Sequence, residues 1–325
     1  MKQVLYLAKR LGYSSLIVWG VLTLTFLFLH LAPGDPTSIY LRPDIEPQVL
    51  VNIRHQFGFD KPLWQQYIFW LTEFVSGNFG YSFSHQRPVW ELFKEAIPNT
   101  LQLTICVFFI QFIVGIFLGT TSARHQDSWL DKSINSILLF LFSMPGFWLA
   151  LLCVLLFCLK LGWFPSGQMT SMRIFENNFQ MLLDRLWHMI LPIAVLSVPF
   201  MAYTTRFVRG NVLDISNQRF IQSARAFGLS EKKILYTYIL RNAWLPLITL
   251  GGMYLPFLIG GAVVIEYVFS WPGMGRLTVD AIYSHDYPLI LASNFIAALL
   301  VVSGNLLADF GYKFVDPRIR DNEGL

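Results

Sequence analysis

The chain has 325 residues, of which 54% are hydrophobic, 16% aromatic and only 14% charged. Its mean hydropathy is +0.50. A soluble domain carries about 25% charged residues, so the composition excludes a soluble enzyme, a nucleic-acid binder and a disordered chain. A net charge of +4 is also too weak to indicate a nucleic-acid partner. Lipid is the solvent for most of this protein.

A bilayer core requires about 20 apolar residues in a helix. Six charge-free stretches of that length follow one another, at 11–34, 96–123, 133–159, 186–205, 242–265 and 287–308. They predict an all-α, polytopic membrane protein with six transmembrane helices, forming a single domain over 1–325. Lys2, Lys9 and Arg10 precede the first stretch, as they would a signal peptide. That stretch exceeds the usual length of about 7–15 apolar residues and no A-x-A-like site follows, so it is read as a retained span.

Between the first two spans, Leu63, Trp64, Tyr67, Ile68, Trp70, Leu71 and Phe74 recur at helical spacing on one face. Gln65, Gln66 and Glu73 interrupt the run, which is too short to cross. Trp and Tyr favour the headgroup region, so 62–75 is predicted to lie in the interface, within an external segment spanning 35–95.

Fifteen of the 24 Lys and Arg residues lie in the N-terminal tail, 124–132, 206–241 and the tail after 308. The other connections, 35–95, 160–185 and 266–286, hold nine over more residues. This asymmetry predicts that both termini and the 206–241 loop face the cytoplasm.

The spans hold few ionisable groups. His30 and His188 fall near span ends and are read as hydrogen-bonded interfacial histidines; Glu266 and Asp309 lie at boundaries. Ion-coupled transport needs titratable or coordinating groups at depth, and an intramembrane protease needs a nucleophile with its base or two carboxylates. Neither constellation is present. Cys106, Cys153 and Cys158 lie in apolar runs with no His or carboxylate at ligand spacing, which argues against a disulfide framework or a metal site. No G-x-x-x-x-G-K-[ST] phosphate loop occurs. No catalytic residue, cofactor or metal is predicted, and the pathway must be driven from elsewhere.

The 206–241 loop is too long for a simple connection. Phe220, Ala224 and Phe227 at i, i+4 and i+7 predict an apolar face, and the small Ser223, Ala224 and Ala226 allow close approach of another surface. Gly228 supplies a helix stop, Leu229 follows, and Ser230 with Glu231 starts a second helix. The residues alone leave two readings open: a knob for a cytoplasmic partner, or an amphipathic helix lying on the membrane. In the last external loop, Ser270-Trp271-Pro272-Gly273-Met274-Gly275 reads as a tight turn with glycines at unusual backbone angles. Span five holds Gly251, Gly252, Gly260 and Gly261, which suit close helix packing. Pro246 and Pro256 suit bending.

The stretch FIQSARAFGLSEKKILYTYILRNAWLP at 220–246 resembles the cytoplasmic coupling segment of ABC importer permeases. With HLAPGDP at 30–36, FGFDKPLWQQYIFWL at 57–71, GNFGYSF at 77–83, PVWELFKEAIPNTLQL at 88–103, FSWPGMGRLTVDAIYSHDYPLI at 269–290 and DPRIR at 316–320, nearly the whole chain resembles the B-type permease subunit of the dipeptide/oligopeptide/nickel importer family. It departs from the broader importer pattern at Gln222, where a Glu is usual. It also has Leu240-Arg241 in place of Leu-Pro, with Leu245-Pro246 following later.

The resemblance implies a type I importer permease fold in the inner membrane. It implies an ATPase-coupling role for Phe220, Ile221, Gln222, Ser223, Ala224, Arg225, Ala226, Phe227, Gly228, Leu229 and Ser230. It also implies that Phe269, Ser270, Trp271, Pro272, Gly273, Met274 and Gly275 face an external cavity or a docked binding protein. The implied partners are a sister permease, two cytoplasmic ATP-binding subunits and an external solute-binding protein. The carried solute stays open among peptides, glutathione-like peptides and nickel complexes. A stand-alone secondary transporter and a permease-like subunit for antimicrobial-peptide resistance are the competing readings.

Overall fold

The computed structural model describes residues 2–31, 61–175, 177–260 and 262–315. Most of HLAPGDP, the 35–60 part of the external segment and DPRIR lie outside the described residues.

In chain order the elements are α1 (Lys2–Leu31), α2 (Leu63–Val75), a two-stranded hairpin of β1 (Tyr81–Ser82) and β2 (Arg87–Pro88), α3 (Val89–Arg124), α4 (Trp129–Ser143) and α5 (Gly146–Cys153). A π-helical stretch, Val154–Lys160, continues α5. Then come α6 (Asn178–Ser216), α7 (Arg219–Ala226), α8 (Glu231–Lys233), a second π-helical stretch (Ile234–Ile239), α9 (Leu240–Gly260), α10 (Val263–Val268), α11 (Met274–Tyr283) and α12 (Tyr287–Val315). The hairpin is antiparallel, with Tyr81 opposite Pro88.

Among the described residues, α3, α6 and Tyr287–Leu307 of α12 are each long and apolar enough to cross a membrane, and α1 carries a shorter apolar stretch, Gly12–Phe28. The third predicted span is not one straight helix. Its two halves, Trp129–Ser143 and Gly146–Lys160, meet at 101°. Pro145 lacks the N–H that would continue the ladder and forces Met144 into extended backbone (φ −80°, ψ 135°). The fifth predicted span is helical to Gly260, and α10 begins at Val263.

By its internal packing the chain divides into two compact units, Met1–Asn99 with Gly273–Val302 and Thr100–Pro272 with Ser303–Leu325. In the first unit the core gathers Phe26, Phe74, Phe93, Leu289 and Ile296. The predicted apolar face of 62–75 is split. Tyr67, Trp70 and Phe74 turn inward, with the Trp70 ring tilted against that of Phe74 at 4.5 Å and the Tyr67 hydroxyl 2.7 Å from that of Thr23. Leu63, Trp64 and Ile68 stay exposed. The fully buried Asp286 pins the hairpin to the start of α12. It accepts from the Ser82 hydroxyl (2.6 Å), the Ser84 N–H (2.9 Å) and the Ser84 hydroxyl (2.7 Å), and caps the Leu289 N–H.

In the second unit α3 crosses α6 at two glycines. A Cβ at Gly115 would lie 2.7 Å from the Thr204 methyl, and one at Gly119 would lie 2.6 Å from the Thr205 carbonyl and 2.7 Å from Val208 Cβ. Small residues four apart let backbones approach this closely in lipid. Farther along α6, the buried His188 donates from Nδ1 to the Asp184 carbonyl (2.8 Å), as its sequence position predicts. The side chain of His30 lies outside the described residues.

Candidate coupling segment and external loop

The C-terminal end of α6 leads into the candidate coupling segment. After Ser216 the chain turns through Asn217 and Gln218 into α7, eight residues long. Ile221 is fully buried and Ala224 is 7% exposed, packed with Val208, Val212 and Ile215 of α6 and with Ile234, Leu235 and Ala243 beyond. The predicted face of Phe220, Ala224 and Phe227 is therefore divided. Ala224 belongs to the inward stripe with Ile221, while Phe220 is exposed and Phe227 is 86% exposed at the tip. Gln222, Ser223, Arg225, Ala226, Gly228 and Ser230 are exposed, and Leu229 is half-buried against the same cluster.

The stop signal works as its sequence predicts. Gly228 takes φ +76°. Its N–H donates to the Arg225 carbonyl (2.9 Å), and the Leu229 N–H donates to the Ala224 carbonyl (3.2 Å). These are the two bonds of a Schellman cap, which satisfies carbonyls left over by the helix. Ser230 then accepts from the Lys233 N–H (3.4 Å). Arg225 meets Glu231 at 2.9 Å across the turn; both are exposed, so the pair adds little. What the cap achieves is geometric: it holds Phe227 outside the chain's own core.

A second cluster lies where α4 begins. Arg209 of α6 donates from Nε and a terminal nitrogen to the two oxygens of Asp131, at 2.8 and 2.7 Å. The Ser122 hydroxyl and the Asp127 N–H also donate to this carboxylate, and Asn135 Nδ2 approaches at 2.8 Å. The Arg209 bonds, then those from Ser122 and Asp127, hold the Asp131 carboxyl well below the usual carboxylate range against its burial. Sequence reasoning missed this cluster. Ser128, three residues ahead of Asp131, has the spacing of an N-cap, but nothing local points to Arg209.

The external loop differs from its prediction. Its positive backbone angle falls at Ser270 (φ +50°), whereas Gly273 has φ −102° and Gly275 lies inside α11. Phe269 and Trp271 are buried in the second unit, where the Gln168 N–H donates to the Phe269 carbonyl (2.8 Å). Gly273, Met274 and Gly275 are buried as well; Ser270 is half-buried and Pro272 exposed.

Long apolar helices and a short helical hairpin docked on the chain's own core are the layout on which the comparisons bear. Residues 113–321 match the family model described as binding-protein-dependent transport system inner membrane component, and residues 3–104 match the N-terminal model of the same systems. The chain belongs to this family, as a multi-pass inner-membrane transport component. It is 39% identical over 315 residues to the oligopeptide transport system permease protein AppB of Bacillus subtilis, covering 97% of this chain and 98% of that protein. It is 33% identical to the di/tripeptide transport system permease protein DppB of Pseudomonas aeruginosa, covering 97% and 98%. It is 32% identical to the dipeptide transport system permease protein DppB of Escherichia coli, again covering 97% and 98%. Among solved structures, an inward-facing MetNI methionine ABC transporter matches with a TM-score of 0.57 at 18% identity, over 70% of this chain and 98% of that one. The fold is that of a type I ABC importer permease.

Proposed function

We propose that the chain forms half of the transmembrane pathway of an ATP-driven importer of di- or oligopeptides, beside a sister permease, with two cytoplasmic ATPases hydrolysing ATP and an external binding protein delivering the solute. The peptide class is supported by the names of the full-length relatives. The coupling assignment is carried by one observation: Phe227, 86% exposed, stands at the tip of a helix whose inward stripe, Ile221 and Ala224, is consumed by the chain's own core, leaving Phe220 and Phe227 outside it. An exposed aromatic on a rigid turn suits an anchor for a partner pocket. The Lys and Arg asymmetry puts this turn and both termini in the cytoplasm. Ser270 and Pro272 are then the parts of the 269–275 loop open to an external partner. Closure of the ATPases would move α7, tilt the helices joined to it and open the pathway outward.

The test is reconstitution of the complete complex with Phe227→Ala. Peptide uptake and substrate-stimulated ATP hydrolysis should fall together by about tenfold or more, with weaker ATPase co-purification, as for loss of an interface anchor. Uptake and hydrolysis at the parental rate would remove the coupling assignment. Failure of parental uptake to respond to competing di- and tripeptides would remove the peptide reading.

A further inference from the structure

Between α3 and α9 runs an apolar groove of about 510 Å³ that the transport reading leaves without a role. Phe109, Ile113 and Ile116 form one wall; Trp244, Ile248 and Gly251 form the other, and Leu307 of α12 closes one side. Phe109, Ile113, Trp244 and Ile248 are all exposed. The Trp244 indole N–H is the single polar side-chain group among the lining residues. A peptide in transit carries backbone donors and acceptors that such a lining would leave unpaired, so the groove does not suit the solute.

Its dimensions point elsewhere. The lining runs over nine residues of each helix, Phe108–Ile116 and Trp244–Gly252, eight steps of about 1.5 Å or about 12 Å, close to one leaflet of a hydrocarbon core about 30 Å thick. At the Trp244 end, Arg241 continues the same helical stripe, at i−3 from Trp244 and i−7 from Ile248. It is exposed, and among the described residues no carboxylate pairs with it. A Trp followed one turn outward by a cation is the arrangement expected at headgroup level. The long Arg side chain can extend from there to a phosphate.

We infer that this groove holds an acyl chain of an anionic phospholipid, whose phosphate lies on the Arg241 guanidinium. The site depends on the chain being in a membrane, not on its coupling to an ATPase or on its solute, so it stands or falls separately from the proposed transport role.

The test uses the full-length chain purified in detergent and titrated with dioleoyl phosphatidylglycerol or dioleoyl phosphatidylcholine, with bound lipid counted by native mass spectrometry. The anionic lipid should be retained about fivefold better, in line with the effect of one basic residue near an anionic headgroup. Arg241→Gln should abolish that preference and Arg241→Lys should keep most of it. Gly251→Leu should lower retention of both lipids, because a side chain there meets only the rings of Phe108 and Phe112 at 3.5–3.8 Å before entering the groove. If Gly251→Leu does not fold, Arg241→Gln, at an exposed position, still decides. Equal retention of the two lipids by the parent, or an unchanged preference in Arg241→Gln, overturns the site. So does efficient photo-cross-linking to another subunit in native membranes from a benzophenone attached to Gly252→Cys in a background lacking Cys106, Cys153 and Cys158, which would mean that protein covers the groove.

Discussion

Asp131 and Arg209, 78 residues apart in sequence, form a two-toothed ion pair at 2.8 and 2.7 Å that ties the start of α4 to the C-terminal half of α6. The Asp131 side chain is 4% exposed and that of Arg209 26%. Seven residues after Arg209, α6 ends and the chain turns into α7, the proposed coupling helix. In that role, displacement of α7 would be delivered to a helix already fastened to α4 by this pair and to α3 by the glycine crossing.

Removing one partner of such a pair leaves a buried charge unpaired, which costs about 3–5 kcal/mol. Arg209→Gln should lower the melting temperature of the purified chain by more than the double variant Arg209→Gln, Asp131→Asn, in which no charge is stranded. A double variant no more stable than the single one would mean that solvent already screens the carboxylate. The pH dependence has a definite sign. The folded-state pKa of Asp131 is depressed, so its stabilisation is fully present above the unfolded value of about 3.9 and is lost as pH falls toward the folded one. The melting difference between the parent and Asp131→Asn should stay constant from pH 7 to 5 and shrink below about pH 4.

The crossing of α3 on α6 makes a second prediction. Gly119→Ala would put a methyl 2.6 Å from a backbone carbonyl that cannot rotate away. Gly210→Ala, on α6 itself, meets nothing within 4 Å and gains helix propensity of about 1 kcal/mol. Thermal denaturation should show Gly119→Ala destabilised, by about 1–3 kcal/mol as for overpacking, and Gly210→Ala unchanged or improved. Equal melting of both variants would show that the helices can separate without loss.

Ala224 and Gly228 now make different predictions from Phe227. Ala224→Asp places a carboxylate among Ile221, Ile234 and Leu235, and a buried unpaired charge is strongly disfavoured. It should undock α7 from the rest of the chain, detected as faster proteolysis of the 217–230 region in the purified chain even without partners. Gly228→Val forces a β-branched residue to φ +76° and should act the same way. Phe227→Ala, at an exposed site, should leave proteolysis unchanged. If Ala224→Asp is as protease-resistant as the parent, the inward packing of that stripe is wrong.

Orientation is checked by single cysteines in a background lacking Cys106, Cys153 and Cys158. Ser76 and Lys232 are both exposed. Ser76→Cys should react from outside intact cells with an impermeant thiol reagent, and Lys232→Cys only after the membrane is opened. Reversed labelling would place the coupling turn on the wrong side and end its assignment.

Of this architecture, the amino-acid sequence by itself determined what depends on composition and on neighbours a few residues away. Six apolar stretches and few charges specify helices in lipid, because each span must satisfy its own backbone. Gly228 and Ser230 specify a helix stop and restart, because a positive φ and a side-chain cap are local needs. Pro145 lay in plain view inside an apolar run, yet apolar length says nothing about direction, and only the folded chain bent that span by 101°. The face of α7 was beyond local reading too. In eight residues, helical spacing does not distinguish a residue packed on its own chain from one offered to another. The tertiary structure drew that line between Ile221 with Ala224 and Phe220 with Phe227, because only the former meet α6. It likewise moved the positive φ of the external loop from glycine to Ser270 and joined Asp131 to Arg209. Pairings over such separations are set by which helices cross, and a crossing depends on the shape of both partners at once.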